Sequence, residues 1–253
     1  MTPKSTAGAP VARDLRALIP KLLCRVCRAP VELRDGEPRC AAGHPFDVGR
    51  RDAAAPRRPL SERVFNNARV YRLKMALLGL LNPLPQDALD PWTAGREVLD
   101  LGCGPFQYLY DPEAPSLRVG VDRAADAMER ADRLYPRSLH LVASVGEPLP
   151  FADKSFDAAL LLFVLHHLPP AIVPEVLREA ARVARRHVLV FDHTRSDVPW
   201  QRRVQQAYWD AFDGGDLYRS QAEWDALWKG WRVEEQRRLG RLFGNVCYFR
   251  LAL

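Results

Sequence analysis

The sequence predicts an α/β fold, a doubly wound and mostly parallel sheet with helices on both faces, preceded by a small cysteine-bearing module. Three observations predict it. From Arg96 onward, apolar strand-like runs alternate with helix-like segments, and strands separated by helices pair in parallel. The first of those runs, "EVLDLGCG", ends in a glycine turn. Near the start, "CRVCRAPVELRDGEPRCAAGH" packs three of the five cysteines and a histidine into the span from Cys24 to His44.

Taken in order, residues 1–19 are disordered or hold a short helix. The first 13 are rich in Pro, Ala, Gly and Thr, and a helix is expected from Asp14 to about Leu23. Residues 20–50 form the module. Cys24 and Cys27 are a C-x2-C pair, and Cys40 and His44 are a C-x3-H pair twelve residues further on. Two such knuckles close a tetrahedron, the geometry of structural zinc. "VELRDGEPR" between them alternates around Val31 and Leu33 and turns at Asp35-Gly36, so a small hairpin joins the knuckles. A redox C-x-x-C would need neither Cys40 nor His44. The competing reading, four unrelated core residues, requires metal spacing to arise by coincidence. Four ligands close the shell, so Cys24, Cys27, Cys40 and His44 predict a structural Zn2+ and no catalytic one. Cys103 and Cys247 lie in apolar surroundings and read as structural.

Residues 51–60 are a basic Pro/Ala linker. Residues 61–253 form the sheet domain. "SERVFNNARVYRLKMALLGLL" has helical periodicity at Val64, Ala68, Tyr71, Met75 and Leu78, with Ser61 as its cap. Five strands follow: "EVLDL", "LRVGVD", "SLHLVAS", "FDAALLLFV" and "HVLVFDH". "AADAMERADRLY" and "PEVLREAARVARR" are helices between them. "WRVEEQRRLG" and "NVCYFRLAL" read as an antiparallel pair at the sheet edge.

Composition excludes some classes. At 47% hydrophobic and 27% charged, the chain reads as an ordinary globule. No apolar run reaches the roughly 18 residues of a membrane span; the longest are "MALLGLL" and "AALLLFVL". No secretory h-region precedes Cys24, and paired thiols without a disulfide framework fit a cytoplasmic protein. The formal charge of +6 falls wholly within residues 1–60. A localised basic surface suits nucleic acid; it equally serves as a solubilising face with no partner. Both remain open at this level.

The glycine turn carries the chemistry. Asp100 ends the first strand, and Gly102 and Gly104 let a ligand approach the backbone. Such a loop at the carboxyl edge of a sheet is where nucleotide-like cofactors sit. Gln107 stands where a dinucleotide fingerprint has its third glycine. Asp122 ends the second strand, placed to accept ribose hydroxyls. Together these favour a cofactor with an adenosine and no pyrophosphate.

"VLDLGCGP", "VGVD", "EPLPFADKSFD" and "LLLFVLHHLPP", in that order, resemble the class I S-adenosylmethionine-dependent methyltransferases, especially the small-molecule "type 11" group. The resemblance covers roughly residues 60–253. It implies a Rossmann-like seven-stranded sheet of order 3-2-1-4-5-7-6 with the last strand antiparallel. It implies that Asp100, Gly102 and Gly104 contact the methionine moiety of S-adenosyl-L-methionine, that Asp122 holds the ribose, and that Ser144 to Leu149 flank the adenine. Phe163 follows strand four against the cofactor. The family's acidic residue for the adenine amino group is replaced here by Val145, with Ser144 before it and Glu147 after. A backbone carbonyl or Glu147 would have to substitute. The zinc-type spacing followed by "PFD" is similar to the N-terminal module of bacterial large-subunit rRNA guanine-N1 methyltransferases, a likeness that carries onto Cys24, Cys27, Cys40 and His44. Those enzymes lack the "HHLPP" element.

Methyl transfer needs an acceptor held in line and, for some acceptors, a base. His166 and His167 after strand four, and Asp192 and His193 after strand five, face the correct edge. Each histidine has a packing role as its alternative. Residues 195–231 hold five of the six tryptophans and read as a helical lid whose aromatic walls suit a flat acceptor, although packing the lid onto the sheet accounts for at least half of those rings. The expectation is therefore a methyltransferase acting on a small molecule. The alternatives are an rRNA base as acceptor and a non-catalytic zinc-containing binding protein that has lost the donor.

Overall fold

The computed structural model describes residues 16–44, 46, 86–104, 116–135, 138–212, 217–239 and 245–253. The disordered start, the linker at 51–60, the helix expected from Ser61, and Gln107 lie outside the described residues.

After helical residues 16–18, a 3-10 turn at Ile19–Lys21 carries Pro20. The helical stretch ends here and not at Leu23, because Leu22 and Leu23 enter extended bridges with Phe151 and Pro30. Strands β1 (Val31–Arg34) and β2 (Glu37–Cys40) form the expected hairpin. Asp35 and Gly36 between them have φ of 54° and 81°. That left-handed pair is the two-residue turn whose twist matches the strands, and Asp-Gly is a favoured sequence for it.

The main body runs α1 (Gln86–Thr93), β3 (Glu97–Leu101), β4 (Leu117–Asp122), α2 (Ala125–Leu134), β5 (Leu139–Val142), β6 (Phe156–Leu162), α3 (Val173–Val183), β7 (Ala184–Thr194), α4 (Pro199–Phe212), α5 (Gln221–Leu227), β8 (Arg232–Leu239) and β9 (Asn245–Ala252). The sheet order is β5-β4-β3-β6-β7-β9-β8, with β9 antiparallel to both neighbours. This is the expected 3-2-1-4-5-7-6 arrangement. All seven strand segments read from the sequence pair as proposed.

Both faces of the sheet are covered, so its central strands are apolar throughout. Alternate residues serve alternate faces. Leu99, Leu161 and Val190 enter one core, with Val176, Leu177, Ala180 and Val183 of α3. Val98, Leu160, Leu162, Leu189 and Phe191 enter the other, with Ala88 and Leu89 of α1. In α3, Val173, Val176, Leu177 and Ala180 recur at helical spacing. Glu175 in its first turn and Arg182 in its last complement the helix dipole.

The cysteine module is not a separate globule. Leu18, Leu22, Val31, Cys40 and Phe46 are buried in the same core as Leu99, Phe151 and Phe156. The Leu23 amide donates to the Pro150 carbonyl at 3.0 Å, and the Ala152 amide to the Lys21 carbonyl at 2.8 Å. The Lys21 ammonium meets Glu97 at 2.8 Å. A module this small could not sustain a core of its own; this one borrows it.

Candidate cofactor and metal sites

The glycine turn hangs on the end of β4. The amides of Gly102 and Cys103 both donate to the Val121 carbonyl, at 2.7 and 3.1 Å. Gly102 has φ +73°, and a Cβ there would stand 2.6 Å from Val164 Cγ2. Only glycine fits. Gly104 has φ +59°, and no atom of the described residues lies within 4 Å of where a Cβ would go.

Asp122 organises this edge. Its Oδ2 accepts from the Gly104 amide and its Oδ1 from the Ala124 amide, each at 2.9 Å. Each oxygen keeps a second lone pair. Asp100 lies behind the turn, 1% exposed. Neither of its carboxylate oxygens has a hydrogen-bond partner among the described residues. Burial pushes its pKa up to about 7, the Asp122 charge adds to this, and Arg118 opposes it. A buried carboxylate without a partner is costly, and a cationic ligand group would relieve it. Cys103 and Cys247 are buried, as expected.

The segment after β5 borders the same edge. The Ala143 amide donates to the Asp122 carbonyl at 3.0 Å, and Ser144 Oγ accepts from the Gly146 amide at 3.3 Å. Val145 packs on the main core, whereas Glu147 is exposed. Phe163 follows β6 with φ +57°, its amide bonded to the Phe191 carbonyl at 2.7 Å. A phenylalanine in the left-handed region is uncommon and marks a held conformation. Its ring centre lies 5.0 Å from that of His193.

The histidines divide. His166 is 1% exposed, and its Nδ1 meets Asp192 Oδ1 at 2.5 Å. The His166 and His193 amides also donate to the Asp192 carboxylate, at 3.2 and 2.7 Å. Burial alone would raise the Asp192 pKa, but the His166 ring and these donors hold it below the usual carboxylate range. His193 is buried and His167 is exposed. The structure thus brings His166 and His193 together around Asp192, with ring centres 5.3 Å apart; the His167 ring packs on His166 at 4.0 Å but is exposed.

The expected lid contributes packing. Trp209 stacks on Tyr218 at 3.6 Å and 10°, and Tyr218 stacks on His166 at 5.1 Å and 13°. Trp224 and Trp228 pack on Phe249. These rings occupy one another's faces, so they fasten α4 and α5 to the sheet; Trp200 alone among the lid tryptophans is largely exposed, at 61%. Sequence reading missed Arg219. Its guanidinium is buried and donates to the Leu165 carbonyl at 3.1 Å. No motif flags it; the parallel bridge from Thr194 to Arg219 brings it there.

At the module, the ligand atoms of Cys24, Cys27, Cys40 and His44 all lie within 4.8 Å of one another. Cys27 Sγ to Cys40 Sγ is 3.7 Å, and Cys40 Sγ and Cys24 Sγ lie 3.4 and 3.7 Å from His44 Nδ1. A tetrahedral zinc with metal–sulfur bonds of about 2.3 Å and metal–nitrogen bonds of about 2.0 Å has edges of about 3.5–3.8 Å. The set fits such an ion. None of the five cysteines forms a disulfide. The Cys27 backbone amide, with further donors, lowers the Cys24 thiol pKa to about 6, toward the thiolate a metal needs.

Comparison with known proteins agrees with this geometry. Residues 99–191 match the family model described as "Methyltransferase domain". The chain is 28% identical to a 23S rRNA (guanine(748)-N(1))-methyltransferase of Streptomyces fradiae, over 60% of this chain and 58% of that protein. It is 34% identical to a fatty-acid O-methyltransferase of Mycolicibacterium smegmatis, over 45% of this chain and 43% of that one. The match thus spans less than two thirds of either relative. Among solved structures, a SAM-dependent methyltransferase from Aquifex aeolicus superposes with a TM-score of 0.55 at 18% identity, covering 73% of this chain and 96% of that one. No helix among the described residues is long and apolar enough to cross a membrane. The sheet order, the glycine turn on its carboxyl edge and the matched family model agree: residues 99–191 match a methyltransferase domain, and the sheet has the fold of the S-adenosylmethionine-dependent methyltransferases.

Proposed function

We propose that the chain is an S-adenosylmethionine-dependent methyltransferase that acts on a small molecule. The observation that carries the donor assignment is Asp100, a buried carboxylate without a described partner beside a glycine turn. It suits the α-ammonium of the cofactor. Asp122 uses its remaining lone pairs for the ribose hydroxyls. Ser144, Val145 and Glu147 flank the adenine. Val145 offers apolar contact only, so the adenine amino group falls to a backbone carbonyl or to Glu147. Gly102 and Gly104 give the methionine end its close approach, and Phe163 walls the site. When bound, the cofactor supplies an electrophilic methyl on a sulfonium.

The chain's own residues orient the acceptor and exclude water. Asp192 fixes His166 through Nδ1, which leaves Nε2 as that ring's basic nitrogen. His166 and His193 are the buried candidates for accepting a proton from a hydroxyl or amine. His167, at the surface, would act only on an acceptor that covers it. Cys24, Cys27, Cys40 and His44 hold a structural Zn2+ in this reading, with no open position for catalysis.

A second reading, methylation of an rRNA base, is supported by the Streptomyces relative and by the zinc-type spacing. The basic module weighs against it. Lys21 bonds Glu97, Arg34 meets Glu32, Arg39 meets Glu37, and Arg25 and Arg28 donate to backbone carbonyls of the sheet domain. Three of these five charges are therefore offset by acids of the chain, while Arg25 and Arg28 keep their charge and are turned onto the sheet domain. Calorimetric titration of S-adenosylhomocysteine into zinc-loaded protein tests the donor site. Micromolar binding that Asp122→Ala loses supports the assignment; no binding leaves a non-catalytic zinc-containing protein as the description. Acceptor binding that falls steeply with salt would favour RNA, and salt-indifferent binding a neutral small molecule.

A further inference from the structure

Two arginines of the first knuckle reach out of the module and hold both ends of one segment of the sheet domain. Arg25 Nη2 donates to the Val142 carbonyl, the last residue of β5, at 2.8 Å. Arg28 Nη1 donates to the Leu149 carbonyl at 2.8 Å. Val142 and Leu149 bracket the residues that border the cofactor edge, Ala143 to Pro148. The near end is also tied to the Asp122 carbonyl through the Ala143 amide. The far end is fixed by Glu179, which accepts from the Leu149 amide at 2.7 Å.

The metal knuckle itself sets the aim of these side chains. The Arg28 amide donates to the Cys24 carbonyl at 2.9 Å, and the Cys24 amide to the Ala29 carbonyl at 2.8 Å. This closed turn holds Arg28 at φ +59°, a backbone state that arginine adopts only when its surroundings impose it. Arg25 directly follows Cys24 and Arg28 directly follows Cys27, so the backbone that carries two of the candidate ligands also carries both guanidinium groups.

We propose that Arg25 and Arg28 are positioning residues that couple the metal site to the adenine side of the cofactor site. The metal orders the knuckle, the knuckle aims the two guanidiniums, and they fix the Ala143–Pro148 backbone. In a chain whose Val145 provides no carboxylate for the adenine, that backbone's placement replaces a side-chain contact. The inference rests on the cofactor reading above. It has a reciprocal consequence: a ligand that orders the segment must tighten the metal, because coupling between two sites is symmetric.

The test uses the full-length zinc-loaded protein and Arg25→Gln/Arg28→Gln, which leaves all four metal ligands in place. Metal content is measured by mass spectrometry, S-adenosylhomocysteine affinity by calorimetry, and zinc release to a chromogenic chelator with and without S-adenosylhomocysteine. The expected result is one zinc per chain in both proteins and roughly tenfold weaker ligand binding in the variant, the loss typical of a charge-assisted hydrogen bond. Ligand slows zinc release from the wild type and has no effect on the variant. If the wild type binds ligand while the variant binds it equally, or if ligand leaves wild-type zinc release unchanged, the coupling is overturned and the cofactor reading stands. If the wild type does not bind ligand, both fall. Should the double variant fail to fold, the single Arg25→Gln change, at an exposed side chain, reads the same release kinetics.

Discussion

Replacing Gly102 by alanine tests the glycine turn at the level of single atoms. Two penalties arise together. The backbone sits at φ +73°, which costs a non-glycine residue about 1 kcal/mol. The new methyl would lie 2.6 and 3.0 Å from the two γ-carbons of Val164, a buried, β-branched side chain with little rotamer freedom. Overpacking of this kind costs about 1–3 kcal/mol. Gly102→Ala should therefore lose about 2–4 kcal/mol. Gly104→Ala is the internal control: φ is +59° and no atom of the described residues stands within 4 Å of its Cβ position, so the backbone penalty of about 1 kcal/mol is what applies. Urea unfolding of both variants, followed by circular dichroism, measures the difference. Adding Val164→Ala to Gly102→Ala should recover part of the loss and leave a favourable interaction energy in the double-mutant cycle. Equal destabilisation by the two glycine variants, or strictly additive effects of Gly102→Ala and Val164→Ala, would refute the steric argument.

Other predictions follow from the same geometry. Asp100 has its folded pKa raised to about 7 by burial, so in ligand-free protein its contribution is fully present below the usual carboxylate range and is lost as pH rises from there through about 7; Asp100→Asn should flatten that loss, on the order of 4 kcal/mol, while weakening S-adenosylhomocysteine binding, as read by melting curves from about pH 3.5 to about pH 8.5. Asp192, with its pKa depressed, behaves oppositely: its contribution is present above the usual carboxylate range and disappears as pH falls through the folded value. Asp192→Ala should cost about 3–5 kcal/mol at pH 7 by stranding buried His166, measurable by denaturant unfolding. Cys40→Ser should abolish zinc binding and lower the melting temperature; unchanged metal content would sink the ligand assignment.

The sheet was legible because its strands are buried on both faces, so apolar runs located β3 to β7; their ends were less legible, since the helix expected to run to Arg186 stops at Val183 and β7 begins at Ala184. The terminal pair was legible from charge alternation, with Arg232, Glu234, Gln236 and Arg238 facing solvent along the edge strand. The Cys–His group was legible because four soft and borderline donors at knuckle spacing match a tetrahedral site, and the fold brings their ligand atoms within 4.8 Å of one another. Less visible was whatever depends on distant segments meeting. Spacing could not show that the module lacks a core of its own, since Leu22 meets Phe151 only through the fold. The aromatic residues of the lid looked like pocket walls in sequence. In space Trp209, Tyr218 and His166 stack on one another, because large rings gain more from burial than from exposure. Arg219 carried no signal: a lone arginine in a polar stretch becomes buried only once Thr194 pairs with it.

The shared core also sets an order of events during synthesis. Leu22 and Leu23 find their partners, Phe151 and Pro150, only after well over a hundred further residues have been made. At about 5–20 residues per second, the nascent cysteine-bearing loop waits some seconds with its apolar side uncovered. Thiols that capture an ion in that interval arrive at the sheet already shaped, and thiols that do not arrive as an oxidisable, sticky segment. Metal supply during translation, rather than afterwards, would then govern the yield of folded protein.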